Sequence, residues 1–269
     1  MYNYHTHTSR CKHAYGTDEQ YVKQAILANY KGLGFSDHVM LPNIEKGVIR
    51  GDFNQKDDYI NSIRSLQKQY EGIIEIYLGF ECEWDKRYQK YYENLLKEKE
   101  VDYLIFANHG LYFKNNQERF LKISSSKQFL QRYLKYSVKA LNSGLFKIMA
   151  HPDIFMSSVA WNKDCEKVAN IICKEAKKNN VALEINLGCF INEEKKDMFN
   201  ENRYRYPYDK FWKIVKKHGN TIVVGVDAHN PLALSSEKKE LAKQFINKLK
   251  LTITEKLDIY DMKGDKYAK

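Results

Sequence analysis

The stretch Tyr2-Asn3-Tyr4-His5-Thr6-His7-Thr8 reads as a short β-strand ending in two imidazoles. Successive side chains of a strand point to opposite faces, so His5 and His7 aim the same way. After a turn comes Thr17-Asp18-Glu19-Gln20, a capping-box pattern in which Thr17 can cap a helix and Gln20 can reach back. A strand followed by a helix is the unit from which parallel α/β folds are assembled.

That unit recurs along the chain. Short apolar stretches at residues 2–8, 33–39, 73–83, 101–109, 145–151, 181–187 and 221–229 read as strands. Amphipathic stretches at 18–31, 54–70, 87–99, 126–142, 164–179, 208–218 and 236–248 read as helices. The strands are apolar on both parities, as expected of parallel strands covered on both sides. Alternation of this kind predicts an α/β barrel or a doubly wound sheet. Residues 39–53 and 186–207 exceed ordinary loop length and are candidate lids or substrate loops.

Composition narrows the class. The chain has 269 residues, 43% hydrophobic and 13% aromatic, enough to build a core and too apolar for disorder. No apolar run approaches the ~20 residues of a membrane-spanning helix, and the first residues lack the pattern of a signal peptide. The net charge of +10 alone points to an acidic partner. It comes from 36 Lys and only 8 Arg. The lysines are mixed with apolar residues at helical spacing, as in 163–178 and 210–217, which reads as a solvated helix face. Five cysteines, at 11, 82, 165, 173 and 189, form no CxxC. They read as reduced thiols, chiefly buried small hydrophobes, of a cytoplasmic protein.

Seven of the eight histidines, His5, His7, His13, His38, His109, His151 and His229, stand at or just past the C-terminal end of an expected strand. His218 instead ends a helix, where it complements the negative helix terminus. In an α/β barrel all strand ends meet at one mouth, where sites are built. His5-Thr6-His7 and Asp227-Ala228-His229 each place two candidate ligands on one face, and Glu81 closes the third strand. Imidazoles with a few carboxylates suit Zn²⁺, Mn²⁺ or Fe²⁺ better than Mg²⁺. The pattern predicts a polynuclear metal site.

This ordered set resembles the polymerase and histidinol phosphatase (PHP) superfamily. The matching motifs are His5-Thr6-His7-Thr8 with Cys11-Lys12-His13-Ala14, Gly34-Phe35-Ser36-Asp37-His38 and Gly79-Phe80-Glu81. They continue with Asp102-Tyr103 to His109, Ala150-His151-Pro152-Asp153 and Gly225-Val226-Asp227-Ala228-His229. Glu184-Ile185-Asn186 and Tyr206-Pro207 further resemble the monofunctional histidinol-phosphatase branch, from which the long insert at 191–205 departs. The resemblance implies one α/β domain over residues 1–269, a distorted (β/α)₇ TIM-like barrel with its metal site at the C-terminal mouth. Residues 230–269 are expected to add a C-terminal helical segment.

It also implies three divalent ions. The first would take His5, His7, Glu81 and Asp227; the second Glu81, His109 and His151; the third His13, His38 and His229. Water between the first two ions, made acidic by them, would attack phosphorus in a small phosphate ester. The implied activity is phosphomonoester hydrolysis, with histidinol phosphate of histidine biosynthesis as substrate. Action on nucleotides or nucleic-acid ends is the alternative, and a non-catalytic metal-binding module a third, disfavoured because the ligand set is complete. Asp37 and Asp153 are candidates to orient imidazoles or protonate the leaving group, or else cap a helix or turn. Glu184 and Asn186 share a strand face and are candidates to line the mouth, Glu184 meeting a substrate amine or an internal lysine. Arg10, Arg50, Arg203 and Arg205 lie in loops after strand ends and are candidate phosphate anchors.

Overall fold

In the computed structural model, which describes residues 1–44, 47, 49–114, 117–120 and 125–260, burial on both faces accounts for the strands. In chain order they are β1 (Tyr2–Asn3), β2 (Gly32–His38), β3 (Glu75–Cys82), β4 (Tyr103–Phe106), β5 (Leu111–Lys114), β6 (Gln117–Phe120), β7 (Ile148–Met149), β8 (Ala182–Asn186), β9 (Lys196–Met198), β10 (Glu201–Arg203) and β11 (Ile222–Gly225). The helices are α1 (Asp18–Leu27), α2 (Lys56–Gln69), α3 (Gln89–Lys97), α4 (Ser126–Leu141), α5 (Lys163–Lys178), α6 (Gly188–Asn192), α7 (Asp209–His218) and α8 (Lys239–Leu249). Helix α1 begins with the expected capping box: Gln20 N donates to Thr17 Oγ1 at 3.3 Å and Thr17 N donates to Gln20 Oε1 at 2.8 Å.

Seven strands form one sheet in the order β1-β2-β3-β4-β7-β8-β11, every pair parallel. The sheet curls until its edges meet. Thr6 bridges Ala228 in parallel, with His7 N donating to Ala228 O at 2.9 Å. The chain is therefore a (β/α)₇ TIM-like barrel. Strand β1 is shorter than the expected 2–8 because the Asn3 side chain intercepts the ladder. Its Oδ1 accepts from Val226 N at 2.8 Å and His5 N at 3.3 Å, and its Nδ2 donates to Thr6 Oγ1 at 2.8 Å.

Tyrosines fill the barrel interior. Tyr4, Tyr77 and Tyr103 pack together, and the Tyr103 hydroxyl donates to Tyr4 O at 2.6 Å. Gly34 makes room for them: a Cβ there would lie 2.3 Å from the Tyr103 hydroxyl oxygen. A larger apolar layer lies between the sheet and the helices, with Phe35, Phe80, Tyr59, Phe211 and Trp212 fully buried.

Two features differ from expectation. The long stretches after β4 and β8 contain two-stranded antiparallel hairpins, β5–β6 and β9–β10, the second within the 191–205 insert. Part of the expected 39–53 loop lies outside the described residues. Among the described residues the C-terminal segment has a 3₁₀ turn at Pro231–Ser235 and then α8, which Lys250 ends in a left-handed conformation at φ 52°. Residues 250–260 instead cross the N-terminal end of the barrel. Thr254 N donates to Ile222 O at 2.8 Å, Leu257 N donates to the Tyr4 hydroxyl at 2.9 Å, and Ile259 is buried. The β-branched run Thr252-Ile253-Thr254 favours extended chain over helix; residues 261–269 lie outside the described residues. No helix among the described residues is long and apolar enough to cross a membrane.

Candidate active site

Parallel strands deliver their C-terminal ends to one side, and the expected ligands converge there. His5 Nε2 and His7 Nε2 lie 3.1 Å apart, and both face Asp227 Oδ1, at 3.4 and 3.1 Å. Glu81 stands at the centre. Its oxygens lie within 3.6 Å of nitrogens from His5, His7, His38, His109 and His151. His13 and His229 meet at the rim, their Nε2 atoms 3.0 Å apart. A cleft of about 220 Å³ opens over this group, lined by His7, His13, His38, Ile49, Glu81, His109, Asp227 and His229. His218 stays apart at the end of α7 and meets Asn170 Oδ1 at 2.9 Å.

Two of these residues have unusual backbones. Asp227 sits at φ 53° and His151 at φ 29°, in the left-handed region that costs non-glycine residues ~1–3 kcal/mol. The surrounding structure holds both against that cost, and each presents a candidate ligand.

The donor set fits divalent ions. Groups able to hold an ion include His5-His7-Glu81, His38-Glu81-His109 and His7-His38-His229. His38 Nδ1 and Glu81 Oε2 lie 2.9 Å apart, yet neither makes a hydrogen bond. His7 Nδ1 and His151 Nδ1 are also buried without hydrogen-bond partners. Two nitrogens at ~2.1 Å on a tetrahedral ion stand about 3.4 Å apart, close to the nitrogen separations seen here.

Electrostatics agree. Burial opposes the Glu81 carboxylate, but His109, His5 and His38 hold its pKa well below the ordinary range. Burial likewise opposes Asp227, and His5 and His7 hold it well below. Burial pushes His38 down to about 4, against the pull of Glu81. Burial and the neighbouring His7 push His229 down to about 3. These two are neutral at pH 7, as ligating imidazoles must be. Burial also disfavours charge on His5, yet Glu184, Asp227 and Glu81 together raise it well above its ordinary value. His7 is raised too, its burial outweighed by Asp227 and Asp37. The carboxylates thus demand positive charge between them, which protons supply when no ion does. Ion binding should therefore displace protons, and affinity should rise with pH until the raised His5 and His7 values are passed. Calorimetric titration with Zn²⁺ in two buffers of different ionisation enthalpy is expected to read at least one proton released per chain at pH 7.

Beneath the ligands lies a layer of orienting groups. Glu184 Oε1 meets His5 Nδ1 at 2.9 Å, while Oε2 accepts from His151 N at 3.1 Å and Asn186 Nδ2 at 2.9 Å. Both oxygens point into the wall of the site, away from the cleft. Asn186 Nδ2 also reaches Asp227 Oδ2 at 3.2 Å, and its Oδ1 accepts from Gly188 N. Asp37 is buried beside His7, with Oδ1 3.5 Å from Nδ1 and Oδ2 accepting from the Thr8 hydroxyl. Asp153 faces α7: its Oδ2 accepts from Tyr208 N at 2.6 Å and Trp212 Nε1 at 3.0 Å, and burial pushes its pKa up to about 7.

The four arginines are engaged by the protein itself. Arg10 pairs with Asp18 and Asp58. Arg203 donates to Met156 O, Tyr204 O and Arg205 O and pairs with Glu201. Arg205 pairs with Glu193 and stacks over Tyr206, whose ring packs 5.9 Å from His151. Arg50 is fully buried, donating to Val39 O at 2.6 Å and to Glu83 Oε2 at 2.5 Å.

Glu83 is the residue that the sequence reading passed over. Its Oε1 meets His109 Nδ1 at 2.8 Å, presenting Nε2 towards Glu81. The signal was available, since Glu81-Cys82-Glu83 puts two carboxylates on one strand face. Glu83→Gln is expected to weaken metal binding ~10–100-fold, the scale of losing an orienting carboxylate, as measured by competition with a chromogenic chelator.

Barrel and site together define an α/β protein whose strand ends carry a cluster of metal-ligating side chains. The chain belongs to the PHP domain family, whose model matches residues 3–188. A curated relative in Deinococcus radiodurans, "Probable histidinol-phosphatase", is 30% identical over 155 residues. The match covers 56% of this chain and 59% of that protein's length. A crystal structure from Listeria monocytogenes superimposes with TM-score 0.72 at 16% identity, over 89% of this chain and 99% of that one. The histidinol phosphate phosphatase of Lactococcus lactis, solved with zinc, L-histidinol and phosphate, superimposes with TM-score 0.69 at 18% identity, over 94% of each chain.

Proposed function

We propose that this chain is a metal-dependent phosphomonoesterase acting on L-histidinol phosphate. The observation that carries the reading is the convergence of seven imidazoles with Glu81 and Asp227 at the barrel mouth, five of the imidazoles lining one small cleft. Family membership and the chemistry of the Deinococcus and Lactococcus proteins support it. Three divalent ions, Zn²⁺, Mn²⁺ or Fe²⁺, would be held by the sets His5-His7-Glu81-Asp227, Glu81-His109-His151 and His13-His38-His229. When bound, such ions polarise phosphoryl oxygens and make a nucleophile from water at neutral pH.

The chain's own residues do the rest. Glu81 and Asp227 stay ionised and fix where positive charge collects. Glu184 and Glu83 hold His5 and His109 by their Nδ1 atoms, so that Nε2 faces inward. With Asp37 nearby and Arg50 behind Glu83, an occupied site would carry a net charge of about +2, enough to attract a phosphate dianion. Among the described residues the cleft lining contains no Lys or Arg, so no basic groove for a polyanion lies over the ligands themselves. That favours a small ester over a nucleic-acid end. Five unpaired cysteines suit a reducing cytoplasm.

The test is phosphate release by the metal-loaded protein from L-histidinol phosphate, nucleoside monophosphates, nucleic-acid ends and sugar phosphates. A preference for L-histidinol phosphate in kcat/KM of at least tenfold is expected. Equal or better turnover of nucleotides would contradict the substrate assignment.

A further inference from the structure

We propose that Cys11 is a sulfur ligand to the ion held by His13 and His229. This rests on the metal-centre reading above and assigns a donor beyond the nine-residue ligand set. The Cys11 sulfur and one ring nitrogen each from His13 and His229 lie within 4.8 Å of one another. Both rings are fixed from behind: His13 Nδ1 donates to Cys11 O at 2.7 Å and His229 Nδ1 donates to Asp227 O at 3.0 Å. Each ring then turns its Nε2 towards the other across 3.0 Å, an arrangement satisfied by a shared proton or by a metal ion between them.

The sulfur is held there by local structure. Cys11 ends a 3₁₀ turn, Ser9–Cys11, whose start is capped by the Thr8 side chain. Lys12 then takes a left-handed conformation at φ 72°, so the chain reverses between Cys11 and His13. Cys11 is fully buried and also lies within 4.8 Å of a ligand atom of His7 and of Asp37. His7 Nδ1, in the same cluster, is buried without a hydrogen-bond partner. None of the other four cysteines joins a metal-binding group among the described residues. Cys82 and Cys165 direct their thiols at backbone carbonyls instead.

A thiolate among imidazoles favours a borderline-soft ion such as Zn²⁺ or Co²⁺ over Mg²⁺ or Mn²⁺. On binding, the thiol proton passes to solvent as the sulfur–metal bond forms, with no change of oxidation state. This ion would differ from its neighbours, whose donors are nitrogen and oxygen alone.

The experiment loads the full chain with Co²⁺ and records the near-ultraviolet spectrum. A sulfur-to-cobalt charge-transfer band is expected in the native protein and in Cys189→Ser, and is expected to vanish in Cys11→Ser. X-ray absorption on the zinc form should show sulfur at ~2.3 Å. Cys11→Ser should bind its weakest ion roughly tenfold less tightly or worse. Full cobalt occupancy without the band would overturn the proposal while leaving the phosphatase reading intact. A band in a protein that releases no phosphate would do the reverse. Should Cys11→Ser fail to fold, the native cobalt spectrum and the zinc absorption edge still decide.

Discussion

Glu81→Ala is expected to abolish phosphate release, lowering kcat/KM by ~10³-fold or more, while the barrel stays folded. The size follows from position. One carboxylate faces five imidazoles within 3.6 Å, drawn from the end of β2 and from the segments that follow β1, β4 and β7. It is the group proposed to bridge two ions, so its loss removes a ligand from each. Removing even one preorganised electrostatic group from an active site costs about 10²–10³ in rate. The fold should survive because the tyrosine-filled interior and the helix-covered layer do not depend on Glu81. Circular dichroism and elemental analysis check the two halves. Near-native turnover with metal content unchanged would sink the bridging role.

Gly225→Ala should be the most damaging of the conservative changes. A Cβ at Gly225 would lie 1.7 Å from Glu184 Oε1 and 2.5 Å from its Cδ. Glu184 has no empty space to move into, being buried and tied at both oxygens to His5, the His151 backbone and Asn186. The methyl group must therefore expel the carboxylate from its place, releasing His5 and relaxing the strained His151 backbone. Overpacking of this kind costs ~1–3 kcal/mol, and metal affinity should fall with it. Thermal unfolding and Zn²⁺ competition measure both. Unchanged values would mean that Glu184 does not hold His5 in solution.

Much of the fold was legible because parallel strands and their helices are written in local pattern. The seven barrel strands fall within the apolar stretches read from sequence, β2 starting one residue early at Gly32, and the Thr17 capping box forms as expected. Strand ends were less legible. Tyr2–Asn3 stops early because a side chain, Asn3, replaces backbone bonds, a choice that no periodicity records. The hairpin β9–β10 is three residues a side, too short for alternation to announce it. The strap at 250–260 is fixed by contacts distant in sequence, with Ile222 and, more than 200 positions away, Tyr4.

The site divides in the same way. Histidines at strand ends were legible, since a barrel gathers strand ends whatever the intervening sequence. The direction of a buried carboxylate was not. Glu184 could equally have faced a substrate amine, but its oxygens are turned to His5 and His151. Arg50 looked like an anion anchor by residue type, yet the fold buries it behind Glu83. Loop position alone does not say whether a guanidinium meets a carbonyl or a ligand.

The central claim is that ions held at the barrel mouth make this chain a phosphatase. It is tested most directly by following phosphate release from L-histidinol phosphate through chelation and restoration of metal in one sample. Activity should fall to background as bound metal is removed and return when Zn²⁺, Mn²⁺ or Fe²⁺ is restored, in proportion to metal bound. Undiminished phosphate release from protein holding less than one divalent ion per chain would contradict it.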